Sequence, residues 1–200
     1  MDLRVTKTQR AIRAAFLELR EKKPLEKITV KELCQRAEIH KSTFYDHYAD
    51  VYALSDALET QVVESVLQGL THPEYLFEQP ELFTRELFAA YRSQGALIHL
   101  LFSGSRSGNL VAKIERAVKE LAFARYPACR EDPVVNIALS YAIYGGYYAY
   151  EENLRYGGEQ VAEVVAQASR DIHRMLQGKF QQKPKACSSP AALDFSRRLC

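Results

Sequence analysis

Apolar positions recur along this chain at intervals of three and four, and no stretch alternates apolar and polar residues with the period of two that a half-buried strand requires. Between Thr8 and Lys22, Ile12, Ala15, Phe16 and Leu19 form one apolar stripe, with Arg10, Arg13, Arg20 and Lys22 on the other faces. This predicts an amphipathic first helix. Pro24 disfavours helical geometry at Lys23, so "KKPLEK" reads as a surface loop. "TVKE" then opens a second helix as a capping box, in which Thr29 caps the amide three residues on and Glu32 reaches back to the Thr29 amide. Leu33, Cys34 and Ala37 are its inner face, and it runs for about two turns before "EIHK" breaks the pattern. In "EIHKSTFYDHY", Glu38 to Tyr48, Phe44 and Tyr48 stand four apart and point inward, which gives a third short helix. A longer helix follows, capped by Asp50 and carrying Val51, Leu54, Leu58, Val62 and Val66 on one stripe.

The remainder is helical as well. Pro73 and Pro80 bracket a loose stretch, after which "ELFTRELFAAYRSQGALIHLLFSG" reads as helix, break near Gly95, and helix. "SGSRSG", Ser103 to Gly108, is a loop or flexible junction before a helix that carries Leu110, Ile114, Val118 and Leu121. Pro133 opens another helix, closed by Gly157 and Gly158, and "EQVAEVVAQASRDIHRML" forms the last one, closed by Gly178. Beyond about Gln181 the periodicity fades into a Pro/Ser/Lys-biased stretch, expected to be a disordered tail or a non-native extension. The chain is thus expected to be all-α, with an N-terminal domain over 1–50, a helical domain over 51–180 and a tail over 181–200.

Composition adds bounds. With 200 residues, 47% hydrophobic and 26% charged, the chain is long enough to bury a core. No apolar run approaches the roughly 18 residues that span a bilayer, and the N-terminus lacks the apolar stretch of a signal peptide, so a cytoplasmic protein is expected. Cys34, Cys129, Cys187 and Cys200 have no CxxC spacing and no neighbouring histidine pair, which points to reduced, structural thiols and to no metal site. The net charge of +2 is uneven: residues 1–50 hold eleven Lys/Arg against eight Asp/Glu, a balance of +3, and the remaining residues balance at −1. An anionic partner at the N-terminal end is the faint implication.

Two short helices joined by a tight turn, the second with its polar groups outward, make a helix-turn-helix, whose second helix enters the DNA major groove. Lys41, Ser42 and Thr43 form the N-terminal turn of that helix, where side chains meet base edges and adjoining phosphates. Tyr45 and His47, two residues apart, suit phosphate contacts that fix register. Thr29 and Lys31 sit at a helix N-terminus suited to backbone phosphate, although Thr29 is equally explained as a cap. Ile12, Phe16, Leu33, Ala37, Ile39, Phe44 and Tyr48 are the small core behind them.

These N-terminal residues resemble the TetR family of bacterial transcriptional regulators, above all in "ITVKELCQRAEIHKSTFYDHYADVYAL". Thr29 and Lys31 match the family's start of helix 2, Ile39 the apolar residue of its turn, and Lys41, Thr43, Tyr45, His47 and Tyr48 its recognition helix. Two positions depart from the pattern. Glu38 stands where the family often has glycine, so a positive φ there is strained by roughly 1 kcal/mol, and Val51 stands where it usually has a phosphate-contacting lysine. The resemblance implies a homodimeric repressor that binds a palindromic double-stranded DNA operator and is released by a small-molecule effector. The alternative is the same DNA-binding module controlled by a partner protein and acting as activator or co-activator. No cofactor is implied.

In the C-terminal part, two glycines inside the helix from Pro133 each cost about 1 kcal/mol relative to alanine, which a close helix approach would offset. Ala142, Gly146 and Ala149, with Val161, Val165, Ala168 and Ile172 of the last helix, are expected to form a dimer seam of two helices per subunit. Phe102, Tyr141, Tyr144 and Tyr148, with Phe88, Tyr91 and His99 from earlier helices, are candidates for lining an effector pocket. No catalytic site is expected: the chain has no Gly-rich phosphate loop, no nucleophile elbow and no HExxH, and the adjacent Glu151 and Glu152 project to different parts of a helix surface.

Overall fold

The computed structural model describes residues 3–174 and 176, and the expected tail, with Gly178, lies outside them. Among the described residues the protein is all-α. Ten helices follow in order: α1 Leu3–Arg20, α2 Val30–Arg36, α3 Lys41–Tyr45, α4 Val51–Gln68, α5 Tyr75–Glu78, α6 Pro80–Ser93, α7 Gly95–Leu101, α8 Asn109–Arg125, α9 Pro133–Glu152 and α10 Gly158–Arg174. The chain divides into two compact units, one built from residues 1–62 and 94–110, the other from 63–93 and 111–200. The first unit therefore extends past residue 50 and takes in α7 and the turn that follows it.

In the first unit Ile12, Phe16, Leu33, Phe44 and Leu54 are fully buried and hold α1 to α4 around one small core. The α4 stripe expected from the sequence is buried in full, from Val51 to Val66, and Asp50 caps the helix by accepting a 2.7 Å bond from the Ala53 amide. Arg20 departs from expectation. It is buried at 6% exposure, and its Nη2 donates to the Leu100 carbonyl and to Ser103 Oγ, both at 2.8 Å. A guanidinium at the end of a helix satisfies carbonyls that no amide can reach, so Arg20 closes α7.

The stretch "SGSRSG" is likewise no loose junction. Gly104–Arg106 forms one tight turn in the left-handed region at Gly104, φ +64. Arg106 clamps it by a bidentate pair to Glu59, Nε to Oε1 at 2.7 Å and Nη2 to Oε2 at 2.8 Å, and Ser105 donates to Glu26. Glu59 is wholly buried and also accepts from Ser55 at 3.0 Å. Periodicity gives no sign of this cluster, because its members are dispersed over three segments of chain.

The second unit packs α6, α9 and α10 together. Arg85 of α6 holds Glu163 of α10 in a fork of 2.7 and 2.6 Å, and Thr84 bonds Ser169 at 3.0 Å. Phe88 stacks on Tyr150 with centroids 4.3 Å apart, in a cluster with Val161 and Ala162. The paired glycines between α9 and α10 have separate jobs. Gly157 takes φ +97, and Gly158 lies so near the Tyr150 hydroxyl that a Cβ would sit 2.9 Å from it. The stretch between Pro73 and Pro80, expected to be loose, contains α5. Glu86 organises it by accepting from the Thr71 and His72 amides and from His72 Nδ1 at 2.8 Å, while Leu76 and Phe77 pack on the core.

Candidate nucleic-acid interface

Thr29 has extended backbone and its Oγ1 accepts the Glu32 amide at 3.3 Å, which starts α2. The other half of the expected capping box differs: the Glu32 carboxylate pairs with Lys23 instead. A full ammonium charge outbids a backbone amide for a carboxylate.

The turn after α2 is set by three amides. Ala37 N–H reaches the Leu33 carbonyl at 2.9 Å, Glu38 N–H the Gln35 carbonyl at 3.4 Å, and Ile39 N–H the Cys34 carbonyl at 3.0 Å. The last two bonds, five-to-two and six-to-one, are those of a Schellman motif, whose penultimate residue must be left-handed. That residue is Glu38, at φ +54, the one non-glycine with positive φ among the described residues. The strain expected from the sequence is therefore present.

The chain emerges from this turn at His40, which is extended, makes no side-chain cap, and leads into α3. Phe44 fixes α3 against the core at 0% exposure, with the Tyr45 and Tyr48 rings 5.6 and 5.9 Å from its own. Helical bonding continues past Tyr45, since the Tyr48 amide still reaches the Phe44 carbonyl at 2.9 Å. With Phe44 turned in, Lys41, Ser42 and Tyr45 are exposed, and Thr43 and His47 are half-buried. Tyr45 keeps 56% of its surface in solvent, a large value for an aromatic residue that nothing on the same unit requires to be outside. Thr29 and Lys31, at the start of α2, are exposed as well. Val51 is buried at 5%, so the entry to α4 presents the Asp50 cap and no cation from that position.

At this point comparison adds one relative. Over 73 residues the chain is 36% identical to an uncharacterized HTH-type transcriptional regulator, YxbF, of Bacillus subtilis. The match covers 36% of this chain and 18% of that protein. No family model matches the chain, and no solved structure does.

The second unit contains the other candidate residues except Phe102 and His99. A cavity of about 400 Å³ lies among α5, α6, α8, α9 and α10, with Tyr141 and Tyr147 in its walls beside Phe83, Phe88 and Val118. Phe102, His99, Tyr144 and Tyr148 are outside these walls. Phe102 is buried in the first unit, and Tyr148 projects from α9 with 48% of its surface exposed. Their helical spacing identifies aromatic faces and leaves unknown which face looks into a hole. Phe88 and Tyr91, expected in the same cluster, are in the walls, and Tyr147, not singled out by spacing, joins them. Burial pushes the Tyr91 hydroxyl far up, and its 2.9 Å bond to Glu151 adds to this, so it remains a phenol.

The residues expected at a dimer seam face several ways. Val161 is in the core cluster with Phe88, Val165 packs against that cluster, and Ile172 packs against the group around Leu139. A Cβ on Gly146 would meet Val165 of the same chain at 3.2 Å, so its close approach is made within the chain. Ala142 is half-buried, and Ala149 and Ala168 are exposed. Exposed apolar side chains lie beside them: Ile137 and Tyr141, each at 69%, with Val134, Tyr148 and Val164. Val134, Ile137, Tyr141 and Tyr148 recur at three-, four- and seven-residue steps, one face of α9.

No helix among the described residues is long and apolar enough to cross a membrane. Cys34 and Cys129 are buried and in no disulfide, and burial pushes the Cys34 thiol up.

Proposed function

We propose that the chain is a DNA-binding transcriptional regulator of the TetR type: a repressor that holds a roughly palindromic operator as a homodimer and releases it when a small molecule occupies the second unit. The similarity to an HTH-type transcriptional regulator supports the coarser part of this reading. One observation supports the DNA-reading part. Phe44 is locked into the core, and the same short helix leaves Lys41, Ser42 and Tyr45 in solvent, with Thr43 and His47 beside them. A rigid helix with donors and acceptors of different reach is what major-groove readout needs.

In this reading Lys41 and Thr43 contact base edges, Ser42, Tyr45, His47 and Lys31 position the helix on phosphates, and Thr29 serves as cap and neighbour of the backbone. Two such helices related by a dimer axis would meet half-sites about 34 Å apart. The test is selection from random duplexes. Lys41→Ala and Thr43→Ala are expected to weaken specific binding by about 1 to 3 kcal/mol each and to relax the selected bases. Tyr45→Phe and His47→Ala lower affinity across sequences without changing the preference. Unchanged preferences in both Lys41→Ala and Thr43→Ala would remove α3 from the readout.

A further inference from the structure

Among the described residues, no Asp, Glu, Lys or Arg contributes to the walls of the cavity in the second unit. What polar groups it has are largely spent on the protein itself. The Thr84 hydroxyl lies 2.8 Å from the Pro80 carbonyl and 3.0 Å from Ser169 Oγ, and Ser169 Oγ lies 2.7 Å from the Ala166 carbonyl, so each hydroxyl proton has an acceptor within the protein. Tyr91 donates to Glu151. Burial holds His173 below its usual range, against the opposing pull of Glu81, which leaves it uncharged at neutral pH. Tyr141 and Tyr147 bring two phenolic hydroxyls to the walls, and the rest is hydrocarbon and aromatic ring, Phe77, Phe83 and Phe88 included.

Such walls discriminate by charge. A carboxylate, sulfonate or phosphate moved into them would lose hydration and find no cation, and a phenol hydroxyl or two does not replace a hydration shell, a penalty of several kcal/mol. An uncharged ring system or branched hydrocarbon would lose only unfavourable water contact. The lone pairs left on Thr84 and Ser169 accept bonds, so one donating hydroxyl or N–H on the ligand is accommodated. About 400 Å³ suits a molecule of drug-like size.

We propose that the small molecule taken up by the second unit is uncharged and predominantly apolar, carries at most one or two hydrogen-bonding groups, and that anionic ligands are excluded. The proposal rests on reading the chain as a ligand-released regulator and gives that ligand its chemical class.

The experiment uses the full chain and two fluorescent probes that share one skeleton and differ in charge: N-phenyl-1-naphthylamine, which is neutral, and 8-anilino-1-naphthalenesulfonate, which is anionic. Titration is expected to give a Kd at least tenfold lower for the neutral probe. Val118→Phe, which fills the cavity from a buried wall position, is expected to abolish that binding while far-UV circular dichroism stays unchanged, and Ala138→Leu serves the same purpose should Val118→Phe fail to fold. Equal or tighter binding of the sulfonate, lost on filling the cavity, overturns the charge class and leaves the regulator reading intact. Binding that survives in a folded filled variant places the probe elsewhere and overturns the assignment to this cavity, as does the failure of the neutral probe to bind. Duplex selection with the unliganded chain judges the DNA-binding reading separately.

Discussion

Glu38 occupies a backbone geometry that costs a residue with a Cβ about 1 kcal/mol, and it does so at the turn between α2 and α3, the pair proposed to meet DNA. The Schellman bonds to Gln35 and Cys34 hold it there. Glu38→Gly relieves the strain while keeping both bonds, so it is expected to raise the unfolding free energy by about 0.5 to 1 kcal/mol, read by urea denaturation. Glu38→Val is expected to lower it by more than 1 kcal/mol, because a β-branched side chain tolerates the left-handed region least. Equal stability of wild type and Glu38→Gly would mean that the turn relaxes in solution. This strain was legible in the sequence, because the turn pattern demands a left-handed residue at a known place. Arg20 was not. Its position on α1 fits the polar face of an amphipathic helix, and only the approach of α7, eighty residues on, makes burial of its guanidinium favourable.

Elements in the first unit are held by polar clamps as much as by apolar burial. The Glu59 carboxylate is out of water entirely and has Arg106 as its charge partner. Arg106→Ala leaves that carboxylate buried with the Ser55 hydroxyl as its bonded partner and the Arg20 charge nearby, and is expected to destabilise by about 3 kcal/mol, the low end for a broken buried pair. The double variant Arg106→Met, Glu59→Leu is expected to recover most of the loss, since it removes both charges and fills a similar volume. Chemical denaturation of the three proteins checks this, and a double variant no better than Arg106→Ala would show that the pair acts through shape. Helix boundaries and stripes were readable from spacing, as α4 shows from Val51 to Val66, because each stripe is a local property of one helix. Clamps between helices distant in sequence are not local. For that reason "SGSRSG" looked like a flexible junction, and α10's apolar seam gave no hint that Val161 faces Phe88 of its own chain.

At the scale of the whole molecule, α9 presents Val134, Ile137, Tyr141 and Tyr148 to solvent, with Val164 exposed on α10. Exposed apolar side chains repeated along one helix face need a cover in a stable protein, and a second copy of the same face is the cover that closes on itself. The proposed subunit contact is better probed on this face than at Gly146. Gly146→Leu would first collide with Val165 inside the chain, so loss of dimer in that variant would be ambiguous. Ile137 is 69% exposed, and Ile137→Asp adds a charge there without entering the core. Sedimentation velocity is expected to report a monomer with unchanged helicity. DNA binding then supplies the stronger measurement, because a dimer on a palindrome gains from placing the second recognition helix at high effective concentration over its half-site. Ile137→Asp should therefore lose about a hundredfold or more in affinity for the full palindrome while binding an isolated half-site as the wild-type subunit does. If the variant keeps its dimer mass, the α9 face is not the subunit contact. If it becomes monomeric and palindrome affinity is unchanged, the two recognition helices do not act as a pair, and the operator is read one subunit at a time.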